Sequence, residues 1–162
     1  MCKELSKNNN VILLSPKRSK SENEIKEILR KNFDIGNSIS LEFFKNITNN
    51  RRLSELITYL TVKKYIKKLN PDFCFVRNSS FLRGCVKSKT PTFYEIHNNI
   101  LHHRFKLIDF FLKKMLVNSA KSPYLIKFIT LSDSLKKYWI SKKIPKNKTI
   151  NLHSGFNVSD FE

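Results

Sequence analysis

The chain has 162 residues, 40% of them hydrophobic and 13 of them Phe, which suits one domain with an ordinary core and excludes global disorder. Thirty-one Lys and Arg against 13 Asp and Glu give a formal charge of +18, enough to draw the protein toward polyanions such as nucleic acid or anionic headgroups without specifying either. No apolar run approaches the roughly 20 residues of a membrane span, Lys3, Glu4 and Lys7 break any signal-peptide-like start, and Cys2, Cys74 and Cys85 form no CxxC pair, so a cytoplasmic protein with reduced thiols is expected.

In chain order, VILLSP (11–16) is a continuous apolar run closed by Pro, as expected of a strand buried on both faces. Residues 21–33 follow as a helix, with Ser21 as N-cap, Glu24 completing a capping box, and Ile25, Ile28 and Leu29 on one face. The stretch 35–44 is ambiguous between a short strand and a loop. Residues 51–69 make the clearest helix: Leu53, Leu56, Ile57, Leu60, Tyr65, Ile66 and Leu69 give an apolar stripe, Asn70-Pro71 ends it, and Lys63, Lys64, Lys67 and Lys68 suit the negative end of its dipole. A strand at 71–77, a short helix at 81–87, a strand at 92–97 and a long helix at 101–118 come next. A strand at 125–131, a helix at 132–143 and a last strand at 149–153 complete the chain. Such regular alternation implies parallel βαβ units and a doubly wound α/β sheet. No internal repeat or low-complexity linker interrupts it.

The segment 125–161 reads as strand, turn, helix, strand and loop, with Phe128 to Leu131, Ser132, Ile144-Pro145, Ile150 to Leu152, Gly155, Asn157 and Phe161 at its marked positions. It resembles the end of the N-terminal domain of GT-B glycosyltransferases of family four. The resemblance extends back through Pro71, Asp72, Val76 and Arg77 and through Pro91, Tyr94, Glu95, Ile96 and His97, and is best over 53–161. It implies a Rossmann-like, mostly parallel sheet with helices on both faces, lacking the family's usual first strand and its Gly-rich, phosphate-approaching turn. The N-terminal domain is expected over 1–155 and the start of an interdomain linker over 156–162, with no second domain in the chain. The implied chemistry is retaining transfer of a sugar from a nucleotide-sugar to a glycan or lipid-linked acceptor, with no cofactor and no specific nucleic acid, at the cytoplasmic face of a membrane or free of it. The nucleotide-binding half being absent, the chain alone is expected to turn over little or not at all.

His97 ends a strand, and in an open α/β sheet the C-terminal strand ends face the ligand crevice. The resemblance makes it the catalytic-side residue near the transferred sugar, against a purely structural reading as a His satisfied by a backbone carbonyl. Arg77 and Asn78 end the preceding strand and are candidates for the same crevice, as is Asn98. Ser132 is a further candidate, although as an N-cap it would serve the following helix. Glu95 shares the face of His97 by strand alternation but sits deeper. Gly155, with Asn157, is expected to turn the chain into the hinge. His97, His102 and His103 make a poor metal site, because the last two are adjacent and point apart on a helix, so no metal is expected.

The helix at 101–118 mixes Phe105, Phe110 and Phe111 with Arg104, Lys106, Lys113 and Lys114. That mixture fits an ordinary sheet-covering helix first and an interfacial helix on an anionic membrane second. The overall charge has two readings as well. Lysine accounts for 24 of the 31 basic residues, the chain also holds 17 Asn, and the basic residues are scattered along its length, so compositional bias competes with a binding role. In another class, Pro71-Asp72 with Glu95-Ile96-His97 faintly resembles the restriction-endonuclease arrangement of two carboxylates on adjacent strands around Mg²⁺, and a basic nucleic-acid-binding domain is a third reading.

Overall fold

The computed structural model describes residues 5–17, 21–33, 39–45, 51–97 and 106–152. They fall into two compact units, Met1–Ile57 and Thr58–Glu162. In the first, β1 (Val11–Lys17) pairs in parallel with β2 (Ile39–Lys45), in register from Val11 opposite Ile39 to Lys17 opposite Lys45. Helix α1 (Glu22–Phe33) forms the crossover that a parallel pair requires. The capping box at its start is made as the sequence suggests: the Ser21 amide donates to Glu24 Oε2 at 2.7 Å and the Glu24 amide to Ser21 Oγ at 3.2 Å. The ambiguous stretch resolves as β2, with Ile39 and Phe44 buried.

Helix α2 (Arg51–Leu69) runs from the first unit into the second. The second unit holds β3 (Cys74–Val76), α3 (Ser79–Lys87), β4 (Thr92–Ile96), α4 (Lys106–Ala120), β5 (Leu125–Thr130), α5 (Asp133–Ser141), a 3₁₀ turn (Lys146–Lys148) and β6 (Thr149–Asn151). Its sheet has the order β3-β4-β5-β6, and each neighbouring pair is parallel. The protein is thus α/β, with parallel sheets flanked by helices in a Rossmann-like arrangement.

The core of this unit forms where strand alternation and a helix face meet. Tyr94 on β4 and Phe128 on β5 are register partners, their ring centroids 5.3 Å apart, and Trp139 of α5 lies 5.9 Å from Phe128. Phe128 and Trp139 are fully buried, as are Leu82 of α3 and Val62 of α2.

The apolar stripe expected for α2 is corrected on one point. Leu60 is 54% exposed, whereas Thr58, Val62 and Ile66, spaced four residues apart, form the buried face; the side chains of Leu53 and Leu56 lie outside the described residues. Helix α3 explains why the small residues win. A Cβ built on Gly84 would meet Val62 Cγ1 at 2.8 Å, so α2 approaches α3 through a slot that only glycine leaves open.

All strands being parallel, the second unit has two distinct sheet edges. The C-terminal ends of the strands lie at one, and the helices return at the other. Three of the four returning connections pass through a left-handed residue: Asn70 (φ 42°), Lys89 (φ 62°) and Lys143 (φ 71°). At the ends of α3 and α5 this produces the paired bonds of a Schellman motif. Lys89 and Thr90 amides donate to the Val86 and Cys85 carbonyls, and Lys143 and Ile144 amides to those of Ile140 and Trp139.

Candidate functional site

Parallel register sets the site. Val76 lies opposite Tyr94, so the next residue of the β3 line, Arg77, falls beside Glu95, and strand alternation places His97 on the face of Glu95. The side chains meet. Arg77 Nη2 lies 3.0 Å from Glu95 Oε1, His97 Nε2 lies 2.6 Å from the same oxygen, and Arg77 Nε donates to His97 Nε2 at 2.8 Å. Arg77 Nη2 also contacts Nε2 closely and reaches within 3.4 Å of Nδ1. Glu95 is 14% exposed, His97 36% and Arg77 58%, so a partly sheltered carboxylate anchors two groups that reach solvent.

Glu95 and Arg77 both address Nε2 of His97. A ring nitrogen carries either a hydrogen or a lone pair in the ring plane, so His97 donates to Glu95 or accepts from Arg77, one at a time. The cluster can therefore present a donor or an acceptor to a hydroxyl at the strand ends, with Arg77 supplying a cation for an anionic group. Glu95, whose role the sequence left open, is its centre.

The other candidates divide. Asn78 is committed locally: its Oδ1 accepts from the Ser80 and Phe81 amides at 2.8 and 3.4 Å, capping α3. Ser132 caps α5, its Oγ accepting from the Leu135 amide at 3.2 Å and lying 3.0 Å from Ser134 Oγ. Both lie at the same sheet edge as the cluster, because each follows a strand, but their polar atoms already serve the helix ends. Asn98, Gly155, Asn157, Phe161, His102 and His103 lie outside the described residues.

Among the described residues no group of three or more His, Cys, Asp or Glu could hold a metal ion. The two-carboxylate nuclease arrangement also fails on register. Asp72 precedes β3 at the end where its strand begins, while Glu95 lies near the far end of β4, five positions further along the paired register, or about 16 Å at ~3.3 Å per residue. One cation cannot bridge them, since its carboxylate ligands must come within about 2.5 Å. Cys85 is no nucleophile either: its hydrogen bond with Cys74, then burial, push its thiol far up from the ordinary range.

No protein-family profile and no curated protein matches the sequence. Solved structures do share the fold. UDP-N-acetylglucosamine 2-epimerase from Rickettsia bellii superposes with a TM-score of 0.66 at 18% identity, over 94% of this chain and 40% of its own. Anabaena HepE, solved in complex with UDP, superposes with a TM-score of 0.59 at 16% identity, over 92% of this chain and 45% of its own. HepE solved with UDP and glucose gives 0.59 at 14% identity. The chain thus spans less than half the length of these proteins, and at such identities the shared feature is the Rossmann-like fold.

Proposed function

We propose that the chain is the acceptor-side, N-terminal domain of a GT-B glycosyltransferase resembling family four, acting in transfer of a sugar from a nucleotide-sugar to a glycan or lipid-linked acceptor. The observation that carries this reading is the Arg77–Glu95–His97 cluster at the C-terminal strand ends, where an open α/β sheet receives its ligand. The fold shared with proteins solved with UDP and glucose supports it. In this reading His97 faces the transferred sugar, Glu95 holds its ring, and Arg77 meets negative charge on the ligand. In the same reading the backbone around Asn78 and Ser132 borders this crevice, and Asn98 and Gly155 are carried as substrate-binding candidates on the resemblance alone. These 162 residues span less than half the length of the proteins that share the fold, so on their own they are expected to bind nucleotide-sugar weakly and turn it over little or not at all. The partners are the donor, the acceptor and, at the periphery, an anionic membrane.

The test is an NMR titration of the chain with UDP-glucose and with UDP-N-acetylglucosamine at millimolar concentration. The expected result is movement of the His97 ring resonances and of the Glu95 and Arg77 amides, lost in His97→Ala. Shifts confined to the opposite sheet edge, or none with either compound, overturn the reading, as does Mg²⁺-dependent DNA cleavage abolished by Asp72→Asn.

A further inference from the structure

The topology sorts the positive charge that the sequence scatters. In the second unit the connections that return from helix to strand all reach the N-terminal edge of the sheet, opposite the cluster. Lys67 and Lys68 close α2, Lys87 and Lys89 flank the end of α3, and Lys121 follows α4. Lys142, Lys143 and Lys146 lie between α5 and β6. All eight are exposed, and the one carboxylate in these connections is Asp72. Lys148, by contrast, turns its ammonium to the Ser122 carbonyl, and burial lowers its pKa.

Lysines in a last helical turn complement the helix dipole, and that accounts for Lys67, Lys68 and Lys87. It does not account for Lys89 and Lys143, which occupy the left-handed positions where glycine costs least. Nor does it account for Lys146, beyond the helix altogether. Apolar groups stand at the same edge. Phe73, just before β3, is 42% exposed with its ring edge-on to Phe93, and Ile126, the second residue of β5, is 41% exposed.

We propose that this edge is a docking surface for an anionic lipid bilayer, with the lysines at the headgroups and Phe73 entering the interface. This deepens the peripheral contact named above, and it stands independently of the sugar chemistry at the opposite edge. A bilayer fits better than nucleic acid for two reasons. The described connections of this edge carry lysine and no arginine, giving compact hydrated charges without the planar fork that reads phosphates and bases bidentately. It also combines these charges with a protruding aromatic, the mixture suited to the membrane interface. In that orientation the Arg77–Glu95–His97 edge faces away from the lipid, which among the acceptors proposed above selects a glycan over a lipid-linked one.

The test is co-sedimentation of the full chain with phosphatidylcholine vesicles and with phosphatidylcholine vesicles containing phosphatidylglycerol, at about 0.15 M salt. Binding is expected to the second and not to the first. A lysine near the headgroups is worth about a fivefold gain in partitioning, so Lys89→Gln/Lys142→Gln/Lys146→Gln is expected to lower binding by about twentyfold or more. Lys64→Gln/Lys114→Gln/Lys137→Gln removes the same charge from exposed helix positions away from this edge and is expected to change it less than about threefold. Phe73→Ser is expected to weaken binding further. Equal losses in the two triple variants, no dependence on phosphatidylglycerol, or displacement from the vesicles by duplex DNA with Phe73→Ser without effect would overturn the proposal. Because the sugar titration reads the other edge, either proposal can fail alone.

Discussion

At the C-terminal edge of the four-stranded sheet an arginine, a glutamate and a histidine share one hydrogen-bonded cluster, whereas at its N-terminal edge eight exposed lysines face one aspartate. The strands and helices are common to both edges, so the difference comes from which residues occupy the turns. At the first edge short polar residues cap helix starts, and an acid inside β4 gathers the longer side chains around it. At the second, Lys89 and Lys143 sit in left-handed turns, and Asp72 is the one acid within the described helix-to-strand connections. The architecture determines where function can sit; the connecting residues determine what kind it is.

The largest effect should come from removing what both edges share. Phe128 is fully buried between Tyr94 and Trp139, and Phe128→Ala should cost about 3–5 kcal/mol, abolishing cooperative thermal unfolding of this unit and with it both of the proposed binding activities. Retention of either activity with a collapsed core would break the view that one fold positions both. Gly84→Ala is next. The added methyl meets Val62 Cγ1 at 2.8 Å, which costs about 1–3 kcal/mol, offset by the ~1 kcal/mol better helix propensity of alanine. A net loss is expected in chemical denaturation, and pairing it with Val62→Ala should show a favourable coupling of at least about 0.5 kcal/mol. Strict additivity would mean that the two helices do not meet as described.

Smaller changes should separate the edges by sign. Asn78→Ala and Ser132→Ala remove helix caps at the cluster edge and should each lower stability by about 1 kcal/mol, with Asn78→Asp retaining most of it. Lys143→Gly, at the lysine edge, relieves a left-handed residue at a Schellman turn and should raise stability by up to about 1 kcal/mol while weakening vesicle binding. A glycine that destabilises there would indicate that the Lys143 side chain contributes packing that outweighs its backbone strain.

These positions also show what a sequence can and cannot disclose. The capping box of Ser21 and Glu24 was legible because its two partners are local and each bond is fixed by a three-residue spacing. The alternation of strands and helices was legible because periodicity is a property of each segment alone. Leu60 misled because a helix has apolar residues on more than one side, and only the approach of Gly84 decides that Val62 faces inward. The meeting of Glu95 and His97 followed from alternation within one strand. That of Arg77 with Glu95 required the β3–β4 register, which two segments 18 residues apart do not declare. Asn78 looked like a crevice residue because it follows a strand, yet the same position is an N-cap. The lysine edge was invisible for a related reason: residues as far apart in the chain as Lys67 and Lys146 share a surface only once four parallel strands have aligned their connections.

The smallest expected stability change distinguishes a site from a brace. Arg77 is 58% exposed, so its pair with Glu95 lies largely in water, and Arg77→Ala should shift the denaturation free energy by no more than about 0.2–1 kcal/mol. His97→Ala removes a group that is 36% exposed and should also be mild. If the cluster exists to hold β3 against β4, the loss of either side chain should show in stability, and ligand-induced shifts at Glu95 should persist in proportion to the folded fraction. If it exists to meet a ligand, stability should barely move while those shifts disappear, and His97→Gln, which keeps a donor and an acceptor near the ring position, should recover part of them. A cluster whose removal costs binding and not folding has its strongest interactions with something other than the protein, as expected for groups that the strand ends raise toward solvent.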